Sequence, residues 1–85
     1  MVVVLLPGML AAEAGGEKRF EVEAATVAEA LRALLISNLI FDERGNLRHL
    51  VNIYVDGADI RDRGGVEAKL TGSETIQIVG AIAGG

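Results

Sequence analysis

The chain closes on Thr75-Ile76-Gln77-Ile78-Val79-Gly80-Ala81-Ile82-Ala83-Gly84-Gly85. Thr75 to Val79 alternates as a strand does, with Ile76 and Ile78 sharing one face. Six residues, all small but Ile82, follow without a break and end in Gly-Gly. A strand running straight into such a segment predicts a folded domain over residues 1–79 and a flexible tail over residues 80–85, offered to another molecule.

Glycine lacks a β-carbon, so Gly84 and Gly85 allow the backbone into a channel too narrow for any side chain. The carboxyl of Gly85 is then an unhindered group on a leash. A free α-carboxyl titrates at about 3.3 to 3.7, so near neutrality it is a carboxylate and a poor acyl donor. Acyl chemistry there requires activation, most simply as a mixed anhydride with a nucleotide phosphate, and no other feature of the chain looks able to supply it. Termini also fray without any function, and eleven glycines in 85 residues are already a high share. The remainder of the chain therefore has to decide.

Composition narrows the choice. A single domain of 85 residues buries only about 60% of its extended surface, room for one small core and not for a deep catalytic cavity. Hydrophobic residues make up 51% and charged residues 24%, a globular balance. The only aromatics are Phe20, Phe41 and Tyr54, so the core is aliphatic and stacking platforms are scarce. The net charge of -4 repels phosphate backbones and attracts basic protein surfaces, which argues against nucleic acid as a partner. Without cysteine there is no disulfide, thiolate metal site or cysteine nucleophile. The apolar run Val2 to Ala12 lacks the charged start of a signal peptide and is interrupted by Pro7-Gly8. No apolar run approaches the ~18 residues of a membrane span. The expectation is a cytoplasmic protein with no membrane partner.

Working back from the tail, Leu50 to Val55 reads as a strand with Val51, Ile53 and Val55 facing the core and Asn52 and Tyr54 on the other side. Asp56-Gly57 is a tight-turn signal, after which Ile60 returns to the core. Arg61 to Gly65 is turn-rich, Val66 to Leu70 fits one helical turn, and Gly72 breaks it. At the other end, Val2 to Leu6 is a buried strand. Residues Met9 to Gly16 read as a small, flexible connection. Arg19 to Ala24 alternates Phe20, Val22 and Ala24 with charged residues, a strand with one wet face that pairs with the first as a hairpin. Thr26-Val27-Ala28-Glu29 fits a capping box, with Glu29 reaching back to the amide of Thr26. Val27, Ala30, Leu31, Leu34 and Leu35 then share a helical stripe, predicting one helix to about Asn38 that covers the sheet. The sum is an α+β domain, one main helix across a mixed four- to five-stranded sheet.

Other chemistry is weakly signalled. His49 is the only histidine and has no metal-ligand spacing. Asp56, Asp59 and Asp62 recur every third residue, unlike an EF-hand loop, and read as turn formers. Gly64-Gly65 lies in no phosphate-binding frame, and Ser37 and Ser73 sit near element ends with no triad in view. No catalytic residue and no metal site are expected.

The run Leu50 to Gly57, then Asp59-Ile60-Arg61, Gly64-Gly65 and the tail Ala81 to Gly85 resemble the ubiquitin-like sulfur-carrier family, above all the carriers of the thiocarboxylate route to cysteine. The resemblance covers nearly the whole chain and implies a β-grasp fold. It implies that Gly85 is adenylated by an ATP-dependent activating enzyme and converted to a thiocarboxylate by a sulfur donor. The carrier itself would bind no cofactor; ATP belongs to the activating partner. Gly80, Ala81, Ile82, Ala83 and Gly84 would thread the partner's channel, with Ile82 an apolar anchor. The acceptor would sit on a pyridoxal-phosphate enzyme like a cysteine synthase, followed by a metal-dependent peptidase. The alternatives are the small subunit of molybdopterin synthase, docking to its large subunit, and a protein modifier that forms isopeptide bonds through Gly85. Many family members carry proline where this chain has Gly80, which predicts a looser tail base. The partner surface is expected on the sheet face away from the helix, with Asn52 and Tyr54, and with acidic residues such as Asp56, Asp59 and Asp62 steering the carrier to a basic partner.

Overall fold

Val2, Val4, Ile76, Ile78, Ile53 and Val55 are all but completely buried, and strand pairing lays their side chains on one face. In the computed structural model, which describes residues 1–48 and 51–80, the strands are β1 (Val2–Leu5), β2 (Arg19–Val22), β3 (Val51–Val55), β4 (Ala58–Asp59) and β5 (Thr75–Gly80). The helices are α1 (Gly8–Glu13), α2 (Val27–Arg32) and α3 (Ser37–Ile40), with 3-10 turns at Ile60–Asp62 and Gly65–Glu67. The sheet order is β2-β1-β5-β3-β4. β1 and β5 are parallel, and every other pair is antiparallel. The mixed α+β architecture is as the alternation of the strands predicted, including the opening hairpin.

Register separates the two faces. Phe20, Val4, Ile76, Val55 and Ala58 lie in one row across all five strands. The neighbouring row is Arg19, Leu5, Gln77, Tyr54 and Asp59. Successive side chains of a strand point oppositely, so the first row packs under the helices and the second forms the open face. Asp56 and Gly57, at φ 48° and 85°, make the turn from β3 into β4. Both angles are left-handed, as a two-residue hairpin turn requires, and Ile60 drops into the core beyond it, 2% exposed.

The helical layer departs from expectation in three ways. Met9 to Gly16 is not a flexible connection, because its first part is α1. The Pro7 carbonyl accepts from the amides of Leu10 (3.1 Å) and Ala11 (2.9 Å), and Leu10 and Ala11 are buried. Gly15 and Gly16, at φ 78° and 91°, end it, and the Gly16 amide donates to the Ala11 carbonyl at 2.7 Å.

The predicted long helix is instead two short ones. After Arg32 the amides of Leu34 and Ser37 donate three residues back, to Leu31 and Leu34. Such tighter turns rotate the chain relative to an α-helix. Ile36 therefore enters the core, 5% exposed, while Leu35, placed on the buried stripe by its spacing, is 99% exposed.

The third difference is a detail of the cap. Thr26 Oγ1 accepts from the Glu29 amide at 3.2 Å as expected. Glu29 Oε1, however, accepts from the amide of Ala25 at 3.1 Å and not from that of Thr26. The carboxylate closes the turn one residue earlier.

Candidate functional site

The described residues end in β5, the middle strand of five. Its entry is held by carboxylates. Glu74 accepts from the amides of Thr71 (2.7 Å), Gly72 (2.9 Å) and Ser73 (3.1 Å) and from the Thr71 hydroxyl (3.1 Å). These donors, the Thr71 amide foremost, hold its pKa down at about 2. Asp56 Oδ1 accepts from the Thr75 amide at 2.9 Å, while the Asp56 amide donates to the Thr75 carbonyl at 2.9 Å. The strand then buries Ile76 and Ile78 and runs one residue past Val79, where Gly80 pairs with Val51. Gly80 is thus ladder-paired backbone, not the loose base that a glycine in place of proline suggested.

Around this exit the two sheet faces differ. On the open face Asn52 stands opposite Val79, which is 36% exposed, and Tyr54 stands opposite Gln77. On the helix side Pro7, Met9, Leu10, Leu39, Val51 and Gly80 line a cleft of about 330 Å³, together with Glu13 and Arg48. A β-carbon built on Gly80 would meet the Met9 sulfur at 3.7 Å, so the thioether lies in contact range over the last described residue of β5.

Asn52 and Tyr54 are brought together on the face expected, both half-buried. Asp56 is not with them near the tail. It sits at the far end of the antiparallel β3–β5 pair, where its carboxylate is committed to the Thr75 amide. Asp59 accepts from the Arg61 guanidinium and the Arg61 amide, which lower its pKa, so it too is a turn former. No group of carboxylates and imidazoles able to hold a metal occurs among the described residues. Ala81, Ile82, Ala83, Gly84 and Gly85, together with His49 and Leu50, lie outside the described residues.

Sequence reading missed the cleft. It is built by α1, whose Met9-Leu10-Ala11-Ala12-Glu13 is a run of strong helix formers behind a proline. That signal was present and was outweighed by the flanking Pro7-Gly8 and Gly15-Gly16.

A mixed five-stranded sheet under short helices, with the C-terminal strand in the middle of the sheet, defines a ubiquitin-like protein of the β-grasp type. The chain belongs to the ThiS family, whose profile matches residues 4–85. It is 30% identical to the sulfur carrier protein CysO of Mycobacterium tuberculosis, over 99% of this chain and 98% of that protein. It superposes with a TM-score of 0.85 on a chain of the Amycolatopsis orientalis BexX/CysO complex, at 32% identity and 100% coverage of both. Small archaeal modifier protein 1 of Methanosarcina acetivorans gives a TM-score of 0.83 at 29% identity, over 99% of this chain and 95% of that one. No helix among the described residues is long and apolar enough to cross a membrane.

Proposed function

We propose that this protein is a sulfur carrier for biosynthesis, cysteine formation above all, with the carboxyl of Gly85 as its cargo site. The observation that carries the reading is a family match over nearly the whole chain that runs to the final glycine, joined to likeness to a sulfur carrier at 30% identity. In the first step the Gly85 carboxylate attacks the α-phosphate of ATP on an activating enzyme, giving an acyl-adenylate and releasing pyrophosphate. In the second, a sulfur donor displaces AMP and leaves a C-terminal thiocarboxylate. The chain acts as a protein cosubstrate in both. The thiocarboxylate sulfur then replaces the activating group on the β-carbon of a serine derivative held by a pyridoxal-phosphate synthase. The Gly85 acyl group passes from the sulfur to the cysteine amine, and a metal-dependent peptidase hydrolyses that amide, releasing cysteine and the Gly85 carboxylate.

Three observations fit this role. Without cysteine, the chain has no side chain to hold the sulfur. The net charge of -4 suits basic docking surfaces. β5 is latched at its start by Glu74 and Asp56, giving the tail a fixed origin.

A second reading, a modifier forming isopeptide bonds to lysines, draws on the likeness to an archaeal modifier protein. Intact-mass analysis of the protein from its native cells separates the two. Replacement of one oxygen by sulfur supports the carrier, and adducts to larger proteins support the modifier. Adding one alanine after Gly85 is expected to abolish adenylation under either reading; adenylation of that variant at the wild-type rate would show that the terminus is not the reactive group.

A further inference from the structure

We infer that the cleft between α1, α3 and the end of β5 is the seat of an apolar side chain presented by the enzyme that activates Gly85, with Met9 as its principal contact. The inference rests on the function proposed above and extends it to the helix side of the sheet, away from Asn52 and Tyr54.

Reach is the first argument. Five residues separate Gly80 from the terminal carboxyl, and a fully extended chain spans at most about 3.3–3.6 Å per residue, or about 17 Å in all. An enzyme that brings this carboxyl to ATP inside its own site must place the mouth of its channel close to Gly80. A specific interface covers about 800 Å² on each partner, equivalent to a disc of about 16 Å radius. Gly80 itself lines the cleft, so an interface centred on the tail's origin covers it.

The second argument is chemical. Met9 is 59% exposed although it belongs to α1, a helix whose Leu10 and Ala11 are buried. It does not stand alone on the surface, because Pro7, Leu39 and Val51 continue the apolar lining around it. An unbranched, polarizable thioether moulds itself to an entering side chain better than a branched one. Glu13 and Arg48 add opposite charges to the lining, polar groups of the kind that accompany an apolar contact. The cleft holds one large side chain comfortably at about 330 Å³.

The test is steady-state adenylation of the full-length carrier by its activating enzyme, with the carrier concentration varied. Met9→Asp is suited to it, since the position lies in the first turn of α1, which has no acidic residue, and a carboxylate there complements the helix terminus. The expected result is a tenfold or greater rise in KM for the carrier, with kcat unchanged, an unchanged melting temperature, and recovery by Met9→Leu. Leu35→Asp, at a position 99% exposed and outside the lining of the cleft, is expected to keep the wild-type KM. Adenylation of the wild type with an unaltered KM for Met9→Asp would overturn the docking site alone. A fall in KM, as when the chain's own tail fills the cleft, would also overturn it, as would a dimer that Met9→Asp splits. No adenylation of the wild type would overturn the function and the docking site together.

Discussion

Glu74 shows how one half-buried side chain can fix the turn from which the last strand starts. Its oxygens accept four hydrogen bonds from Thr71, Gly72 and Ser73 immediately before β5. They hold its pKa at about 2, below the ordinary 4.5. A depressed folded-state pKa stabilises the fold above the ordinary value, and that contribution is lost as pH falls through the folded one. Wild type and Glu74→Gln should therefore differ in urea midpoint at pH 7, and the gap should close between about pH 4.5 and pH 2. Asp59, whose pKa is also lowered, is present in both proteins and cancels from the comparison. A gap that persists unchanged at pH 2 would remove the carboxylate from this role. At the same scale, Gly80 was legible as a small residue but not as a paired one. Its register with Val51 depends on a partner strand about thirty residues away in the sequence, which local pattern cannot supply.

At the scale of elements, strands were read better than helices, for a physical reason. Period-two alternation in Phe20 to Val22 and in Ile76 to Ile78 has one interpretation, and the turn at Asp56-Gly57 requires the left-handed angles that these residues tolerate. The stripe Leu31, Leu34 and Leu35 assumed uninterrupted α-helical geometry, and two tighter turns exchanged Leu35 for Ile36 in the core. Helix α1 was hidden by its brevity, since six residues between a proline and two glycines resemble a loop until Leu10 and Ala11 are seen buried. Thr26 was legible as the N-cap of α2, while the return bond of Glu29 shifted by one residue to the Ala25 amide. Thr26→Ala should cost about 1 kcal/mol through loss of the acceptor for the Glu29 amide. For a domain of this size that is a fall of about 4–8 °C in Tm, measurable by circular dichroism. A Tm unchanged by the substitution would mean that the cap contributes nothing.

For the molecule as a whole, packing and chemistry are separable. The core is closed by residues from β1 to Ile78, and the reactive group is proposed to lie seven residues beyond Ile78. The alanine extension after Gly85 should accordingly leave stability within about 0.5 kcal/mol of wild type while eliminating adenylation. A matching loss of stability would tie the terminus to the core instead. The terminal Gly-Gly stands out in the sequence because the reading it supports needs only neighbouring residues. The cleft does not, because it is assembled from α1, α3, β3 and β5.

The most direct measurement is tandem mass spectrometry of the C-terminal peptide after incubation of the protein with its activating enzyme, ATP and a sulfur donor. The account predicts a sulfur-for-oxygen replacement localised to Gly85. A peptide that stays an unmodified carboxylate, or that carries the sulfur anywhere else, would contradict it.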